Sequence, residues 1–201
     1  MNRPDTNNLP TQETPLEFKI HDTKIRIVRG DITEQTTEAI VNAANRSLLG
    51  GGGVDGAIHR KGGIRILEEC RKIREREWPD GLPTGKAVIT TGGTLPSKHV
   101  IHTVGPIWQG GKHDEAKLLG EAYTNSLKLA AAKRLTTIAF PSISTGAFGY
   151  PLEKAATVAL KAVKEVLKEQ SIIAEVVFVL FSEKALETYA RKSREILASS
   201  Q

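Results

Sequence analysis

The sequence is poor in cysteine, in aromatic residues and in long apolar runs. A single cysteine, Cys70, occurs among the 201 residues, so the chain forms no internal disulfide and suits the reducing cytoplasm. Aromatic residues make up 5%, which disfavours a surface that stacks on nucleic-acid bases. The longest apolar run, residues 176–181, is strand-sized and falls far short of the ~18 residues of a membrane helix. Because the N-terminus also lacks a signal pattern, we expect a cytoplasmic protein with no membrane partner.

The overall composition is that of a soluble domain with an excess of positive charge. Hydrophobic residues make up 39% and charged residues 25%, ordinary proportions for a globular protein of this length. The first 15 residues are polar and punctuated by proline, so we predict a flexible tail there and a single domain over residues 16–201. The net charge of +5 is spread along predicted helices, which leaves a nucleic-acid partner as an open but disfavoured alternative.

Strand and helix periodicities alternate along the chain after the tail. Strands are predicted at residues 17–21, 24–29, 39–43, 86–91, 99–104, 136–140 and 175–181, and helices at residues 54–61, 64–78, 114–133, 152–169 and 183–197. Strands that alternate with helices favour an α/β fold. We expect a three-layer α/β/α sandwich with a central mixed, mostly parallel sheet.

Residues 39–60 carry the most chemically suggestive side chains. Asn42 and Asn45 lie at the end of a predicted buried strand, four glycines follow at residues 50–53, and Asp55 and His59 lie one turn apart on the next helix. Glycines let the backbone approach a ligand closely, and the free amides of a helix start favour an anion, commonly a diphosphate. An acid, an amide and an imidazole beside an anion site indicate a reaction site.

Two further stretches follow the ends of predicted strands, at residues 30–32 and 142–148. The second is rich in hydroxyls and glycine and is typical of another amide-rich anion site. Ligands of open α/β sheets bind outside the carboxyl ends of the strands. We therefore expect residues 30–32, 42–56 and 142–148 to converge on one cleft, in which two loops hold a single diphosphate.

Other nucleotide and metal motifs fit the sequence poorly. Residues 51–56 match G-x-G-x-x-G, but the acid that a Rossmann site places at the end of a second strand, about 20 residues on, is missing. His99 and His102 are three residues apart on a predicted strand and point to opposite faces, so no protein-bound metal is expected. Cys70, at an apolar helix position, is predicted to be a core residue.

Each candidate residue also has a purely structural explanation, and the residues alone leave that choice open. Asp31 is suited to capping or turning the chain, and Thr33 to capping the short turn that follows. Asn45 is suited to satisfying loop backbone. Asp55 is suited to stabilising a helix dipole, and His59 to packing.

Three motifs, taken in order, resemble the macrodomain family, specifically its MacroD-type branch. They are Gly30-Asp31-Ile32-Thr33, residues 39–59 and residues 141–151. The resemblance spans residues 18–197 and implies an ADP-ribose-binding α/β/α sandwich. It also implies a hydrolase that removes mono-ADP-ribose from acidic side chains of proteins and deacetylates O-acetyl-ADP-ribose. No cofactor is implied, and a monomer is expected. Residues 60–63 depart from a run that is usually richer in alanine, and we expect them to lie past the site.

The resemblance assigns Asn45, Asp55 and His59 to catalysis. Asn45 and Asp55 would bind the distal ribose, and Asp55 would orient or deprotonate a water with support from His59. The substrate's own phosphate is the alternative activator of that water, and the sequence does not choose between them.

The resemblance assigns the remaining matched residues to ADP-ribose binding. Asp31 would accept a hydrogen bond from the adenine amino group beside the Ile32 amide, and Phe181 would stack on adenine. Phe148 would line the distal ribose. Backbone amides of two loops would hold the diphosphate: Gly52, Gly53 and Val54 in the first, and Ser142, Ile143, Ser144, Thr145, Gly146, Ala147 and Phe148 in the second.

Two other functions compete with hydrolysis as interpretations of the sequence. A non-catalytic reader would use the same cradle to bind ADP-ribose without turnover, and the presence of both Asn45 and Asp55 favours the enzyme over it. An RNA-associated regulator is suggested by the isoelectric point of about 9.3. RNA affinity that falls steeply with salt, without preference for ADP-ribose, would identify the regulator.

Overall fold

The structure, a computed structural model, describes residues 16–169 and 172–198. The predicted flexible tail, residues 1–15, lies outside this part, and the assignment of residues 16–201 to one domain stays a prediction. The described residues form seven strands and five helices, in the order β1 (Leu16–Ile20), β2 (Thr23–Arg29), β3 (Ala39–Ala43), α1 (Gly53–Gly62), α2 (Ile64–Arg76), β4 (Ala87–Thr91), β5 (His99–Thr103), α3 (Glu115–Ala132), β6 (Thr137–Phe140), α4 (Leu152–Lys168), β7 (Glu175–Leu180) and α5 (Glu183–Leu197).

The seven strands of the described residues join one sheet in the order β1-β2-β7-β6-β3-β5-β4. Four pairings are parallel: β2 with β7, β7 with β6, β6 with β3, and β3 with β5. The two edge strands, β1 and β4, pair antiparallel with their neighbours. The predicted mixed, mostly parallel sheet is therefore confirmed.

Buried residues on the central strands alternate between two cores, one on each face of the sheet. In β3, Ile40 faces the core that contains residues of α1 and α2, and Val41 faces the core that contains residues of α3, α4 and α5. Val100 and Ile101 divide in the same way on β5. Parallel strands buried on both faces are typical of α/β folds, and the predicted three-layer sandwich is confirmed.

The helices bury one apolar stripe and leave their other residues more accessible. In α4 the buried residues follow the spacing of three and four that places them on one helix face, namely Ala155, Ala156, Ala159, Leu160, Val163 and Leu167. Among the described residues, no helix is both long enough and apolar enough to cross a membrane.

The parallel strands place their carboxyl ends at one edge of the sheet. Five strands share this direction: β2, β7, β6, β3 and β5. The segments that leave them begin with Gly30, Phe181, Pro141, Ala44 and Val104. This edge is where ligands of such sheets bind, and the stretches predicted to form the site start here.

Candidate functional site

A cleft of about 720 Å³ opens at the carboxyl edge of the sheet. It brings together residues 30–32, the loop between β3 and α1, and the loop after β6, as the sequence predicts. Its lining includes every residue predicted to bind ADP-ribose: Asp31, Ile32, Asn45, Gly52, Gly53, Val54, Asp55, Ser142, Ile143, Ser144, Thr145, Gly146, Ala147, Phe148 and Phe181. Their position is thus established, whereas their individual roles stay predictions.

The first loop ends where α1 begins, at Gly53. The preceding residue, Gly52, occupies the N-cap position and offers no side chain to the free helix amides. Gly53 has a φ of 57°, a conformation that favours glycine. A Cβ built on either glycine meets no atom within 4 Å, so the space in front of the helix start is open. Free amides and a positive helix end facing an open cleft form an anion site.

The second loop, residues 141–150, faces the cleft from the end of β6. The Tyr150 amide donates to the Ser144 carbonyl at 3.0 Å, and the Trp108 amide donates to the Phe148 carbonyl at 2.9 Å. Ser144 holds a positive φ of 68°. In the part of the chain that the structure describes, the amides of residues 144–148 have no hydrogen-bond partner. The loop is therefore fixed through its carbonyls and leaves several amides for an anion.

One amide of this loop does not fit the prediction that residues 142–148 all hold the diphosphate. The Ile143 amide donates to the Tyr123 hydroxyl oxygen at 3.1 Å, and the Ile143 side chain is fully buried. Tyr123 lies on α3 in the core. Because this amide already has a buried partner, we correct the assignment and exclude it from the anion site.

The second loop packs directly on Gly105, which follows β5. A Cβ at Gly105 would lie 2.1 Å from Ser144 Oγ and 2.6 Å from Ile143 Cγ2. Real Cβ atoms essentially never approach other atoms so closely. The absence of a side chain at Gly105 therefore allows the second loop to sit where it does.

Asp55 lies in the first turn of α1 and is only 4% exposed. Its Oδ1 accepts a hydrogen bond from Asn42 Nδ2 at 2.7 Å, and its Oδ2 accepts one from Asn45 Nδ2 at 3.4 Å. His59 Nε2 lies 3.4 Å from Oδ1. Two amides therefore hold the carboxylate in one orientation at the wall of the cleft. The sequence places Asn42 in the stretch expected at the cleft but assigns it no catalytic or binding role.

Asn45 organises the loop as well as the carboxylate. Its Oδ1 accepts hydrogen bonds from the Ser47 amide at 3.0 Å and from Ser47 Oγ at 2.5 Å. Its Nδ2 donates to the Gly50 carbonyl at 2.9 Å, in addition to Asp55. The structural alternative, in which this side chain satisfies loop backbone, is thus confirmed, and contact with a ribose stays a prediction.

His59 lies behind the cleft rather than in its lining. Its ring packs beneath the first loop, since a Cβ on Gly50 would lie 3.5 Å from the ring. The ring also lies beside the buried His102, with 6.1 Å between ring centroids. This position suits support of Asp55 from behind, which stays a prediction.

Asp31 lies in the lining of the cleft, and each of its two carboxylate oxygens accepts hydrogen bonds. Its Oδ1 accepts hydrogen bonds from the Thr33 amide at 2.9 Å and from Thr33 Oγ1 at 2.5 Å, so that Asp31 is the N-cap of the single 3-10 turn Ile32–Glu34. Its Oδ2 accepts from Lys61 Nζ at 2.9 Å. Partial burial raises the pKa of Asp31, but the bonds from Thr33 and Lys61 outweigh burial and hold this pKa below its ordinary value.

Two sequence interpretations are wrong here. Thr33 does not cap the turn, because Asp31 precedes it in an extended conformation and takes that position. Residues 60–63 do not all lie past the site, since Arg60 and Lys61 line the cleft and Lys61 pairs with Asp31. The departure from the family pattern therefore falls within the site and affects its charge.

Phe181 follows the last residue of β7 and is 84% exposed. It stands at the cleft, next to Ser182, whose hydroxyl caps α5 by accepting from the Ala185 amide at 3.2 Å. An aromatic ring left so exposed at a cleft suits stacking on a planar ligand. The predicted stacking on adenine fits this position and remains to be tested.

One cluster of metal-type ligands occurs in the described residues, behind Asp55. Donor atoms of His59, Cys70 and His102 all lie within 4.8 Å of one another. The two nitrogens of His102 already contact Asn42 and Thr90, at 3.1 and 2.9 Å. Burial, followed by the negative charges of Asp55 and Glu69, raises the pKa of the Cys70 thiol to about 12. Both nitrogens of His102 are therefore engaged and the Cys70 thiol is held protonated, so these two residues are not free metal ligands.

Cys70 is predicted to resist thiol reagents in the folded protein. Its side chain is fully buried, and with a pKa near 12 almost none of the reactive thiolate is present at neutral pH. We expect no labelling by Ellman's reagent over the time in which the urea-unfolded protein reacts completely. Rapid labelling of the native protein would contradict the position of Cys70 in the core.

The sequence and the fold are similar to those of known proteins. The model of the Macro domain matches residues 41–159. The chain belongs to the macrodomain family. It is 50% identical over 169 residues to the O-acetyl-ADP-ribose deacetylase of Escherichia coli K12, a match that covers 84% of this chain and 94% of that protein.

Solved structures of macrodomains have the same fold. An Oceanobacillus iheyensis macrodomain with ADP superposes with a TM-score of 0.89 at 45% identity and covers 92% of this chain and 98% of its own. A Trypanosoma brucei macrodomain in complex with ADP-ribose superposes with a TM-score of 0.76 at 39% identity, and the match covers 83% of this chain and 68% of that one.

Three residues that shape this macrodomain site have no role that the sequence specifies. Asn42 lies in a stretch that the sequence places at the cleft and Lys61 in the run that departs from the family pattern, but nothing in the sequence says which side chain they contact. Gly105 carried a clearer signal, because a glycine directly after a strand end often marks close approach of another backbone or a ligand.

Proposed function

We propose that this macrodomain binds ADP-ribose and hydrolyses ADP-ribosyl esters, both O-acetyl-ADP-ribose and mono-ADP-ribose attached to acidic side chains of proteins. The observation that carries the proposal is the buried Asp55 carboxylate at the end of a cleft walled by two amide-rich loops. The names and titles of the similar proteins, a deacetylase of O-acetyl-ADP-ribose and a macrodomain in complex with ADP-ribose, support the same ligand.

In the proposed complex the diphosphate lies between the helix start at Gly53 and the free amides of the second loop. Adenine extends toward Asp31 and Phe181, and the distal ribose extends toward Asn45 and Asp55. Both walls are electrostatically suited to a dianion, because free amides and a helix N-terminus face it. The cleft volume of about 720 Å³ falls in the range of sites that enclose a ligand of this size.

Hydrolysis of the ester requires an activated water and a place for negative charge. In the proposed step, water oxygen forms a bond to the ester carbonyl carbon while its proton passes to Asp55 or to the substrate phosphate. The tetrahedral intermediate then expels the ribose oxygen, which takes up a proton. The products are ADP-ribose and either acetate or the free side-chain carboxylate. Asp55 is suited to orienting this water because Asn42 and Asn45 fix both of its oxygens.

A direct test of turnover separates the hydrolase from a reader module. The protein is incubated with O-acetyl-ADP-ribose and, separately, with a protein mono-ADP-ribosylated on glutamate, and released ADP-ribose is quantified by chromatography. We expect release from both substrates. ADP-ribose binding in calorimetry without release from either substrate would identify a reader and refute the proposed hydrolysis.

The Asp31 carboxylate is predicted to select adenine. Asp31→Ala should weaken ADP-ribose binding by roughly tenfold, because a hydrogen bond to a charged acceptor is lost. The hypoxanthine analogue of ADP-ribose, which lacks the amino group, provides the control: calorimetry should show that the wild-type protein prefers ADP-ribose and that the variant binds both ligands equally. Asp22→Ala, at an exposed aspartate in the β1–β2 turn, should change neither affinity. A variant that keeps the preference for adenine would reject this role.

A further inference from the structure

A chain of buried polar side chains runs away from Asp55 across the sheet. Asn42 on β3 lies directly opposite His102 on β5 in the strand register. Thr90 lies on the next strand, β4, two residues from the partner of His102. All three side chains are at most 3% exposed, and by alternation they share the face that packs on α1 and α2. The cleft chemistry described above uses neither His102 nor Thr90.

The direction of each hydrogen bond in this chain follows from the carboxylate. A carboxylate only accepts hydrogen bonds, so Asn42 must turn its amide nitrogen toward Asp55 Oδ1, at 2.7 Å. The second hydrogen of the same nitrogen faces His102 Nδ1 at 3.1 Å. His102 Nδ1 must therefore accept, which fixes the neutral ring with its proton on Nε2.

The far end of the chain agrees with this tautomer. His102 Nε2 lies 2.9 Å from Thr90 Oγ1 and donates to it, and the Thr90 hydroxyl in turn donates to the Thr91 carbonyl at 3.0 Å. Cys70 Sγ, 3.8 Å from the same nitrogen, is at most a weak second acceptor. Complete burial, reinforced by the neighbouring His59, lowers the pKa of His102 to about 3 although Asp55 opposes the shift. The ring thus stays neutral at working pH.

The amide of Asn42 has few other restraints. Its carbonyl oxygen is buried and has no hydrogen-bond partner in the described residues. The orientation of this amide is therefore decided by the two bonds of its nitrogen, one to Asp55 and one to His102. Removal of the bond to His102 leaves the Asn42 amide held only by Asp55, so that Asn42 fixes the carboxylate less firmly, while the contact from Asn45 remains.

We propose that His102 is a positioning residue for ester hydrolysis, which holds Asp55 through Asn42, and that Thr90 stabilises the tautomer of His102 required for this. The inference rests on the proposed function, since it assigns a part of the supporting structure to the same reaction. Neither residue touches the substrate, so their loss should affect the rate constant rather than ligand binding.

The tautomer is measured first, because this measurement needs no turnover. Nitrogen-15 NMR of the histidine-labelled wild-type protein distinguishes a protonated from a bare ring nitrogen. We expect His102 to be protonated on Nε2 and bare on Nδ1 between about pH 5 and 8. A proton on Nδ1 in this range would overturn the inference, because that nitrogen then cannot accept from Asn42.

Kinetics of His102→Leu provide the second test. We expect kcat for O-acetyl-ADP-ribose to fall by about tenfold, the size of one lost ordered hydrogen bond, with KM and ADP-ribose affinity unchanged within about twofold. Thr103→Val is the matched control, since Thr103 is a buried neighbour on β5 whose hydroxyl binds the Lys86 carbonyl. It should lower stability and leave kcat unchanged. A normal kcat in folded His102→Leu would overturn the inference.

A double mutant with Asp55→Ala distinguishes a positioning role of His102 from general disruption of the structure. In an Asp55→Ala background, His102→Leu should cause no further loss of kcat, because the group that it positions is absent. An equal loss in both backgrounds would overturn the inference. If His102→Leu does not fold, Thr90→Val is measured in its place. We expect its kcat to fall by about threefold and its NMR spectrum to show a mixture of His102 tautomers. A wild-type kcat and a single tautomer in this variant would overturn the inference.

Failure of the inference is distinguishable from failure of the proposed function. If the wild-type protein hydrolyses no ester, the proposed function itself is wrong. If the wild-type protein is active and His102→Leu is equally active, only the positioning role is wrong.

Discussion

Asp55→Ala is expected to lower kcat for ADP-ribosyl ester hydrolysis by about 10²–10⁴-fold, the usual contribution of a positioned general base. The variant removes the carboxylate that Asn42 and Asn45 hold at the cleft, so water is neither oriented nor deprotonated there. The proposed diphosphate and adenine contacts are made by other groups, which this substitution does not remove. We therefore expect the ADP-ribose dissociation constant from calorimetry to rise by no more than about tenfold, the value of one hydrogen bond to a charged acceptor.

The control for this variant is the same substitution of an acidic residue in the first turn of another helix. Glu153 lies in the first turn of α4, as Asp55 does in α1, but is exposed and pairs with Arg191. Glu153→Ala should keep kcat within about twofold, since surface ion pairs contribute little. An Asp55→Ala variant that is as active as Glu153→Ala would remove Asp55 from the mechanism and leave activation of water to the substrate phosphate.

Gly105→Ala is expected to have the second largest effect, through the shape of the cleft. The added Cβ would lie 2.1 Å from Ser144 Oγ and 2.6 Å from Ile143 Cγ2, so both side chains must shift, and we expect the second loop to shift with them. We expect a loss of stability of about 1–3 kcal/mol, as is usual for overpacking, and ADP-ribose affinity at least about tenfold weaker because the loop amides are displaced. Urea unfolding and calorimetry measure the two effects.

Gly120→Ala is the matched control for this substitution. Gly120 lies inside α3, where a Cβ would meet only ordinary contacts at 3.8 and 3.9 Å. The change should stabilise the protein by about 0.5–1 kcal/mol through helix propensity and leave ADP-ribose affinity unchanged. Wild-type affinity in Gly105→Ala would show that the second loop tolerates the methyl group and does not depend on Gly105.

The elements and the location of the site could be read from the sequence because both follow from local patterns. The closing helix, Glu183–Leu197, was predicted to the residue, since its apolar spacing and its Ser182 cap are local. The stretches that line the cleft could be predicted for a related reason: each follows a buried strand, and parallel strands end at the same edge.

The contacts between distant residues could not be read in the same way. Asn42 contacts Asp55 because its side chain shares a sheet face with α1, and only the packed helix reveals which of the two faces that is. Lys61 reaches Asp31 from the last turn of α1, a contact set by the angle at which that helix leaves the loop. The same holds for the Ile143 amide, whose partner Tyr123 lies on α3.

The N-cap of the 3-10 turn could not be predicted from residue type alone, since both Asp31 and Thr33 were candidates. Both residue types favour N-cap positions, and their spacing fits one turn equally well. The structure resolves the choice because β2 ends at Arg29 and Asp31 is still extended, with φ −96° and ψ 122°. An N-cap residue requires this backbone conformation, so position in the chain rather than residue preference decides.

The most direct test of the account asks whether the site that binds ADP-ribose is the site that cleaves the ester. Hydrolysis of O-acetyl-ADP-ribose by the wild-type protein is followed at several concentrations of free ADP-ribose, and the dissociation constant of ADP-ribose is measured separately by calorimetry. The account predicts purely competitive inhibition, with an inhibition constant equal to the dissociation constant. Hydrolysis that continues unchanged while the cleft is saturated with ADP-ribose would contradict it, because the reaction would then take place elsewhere.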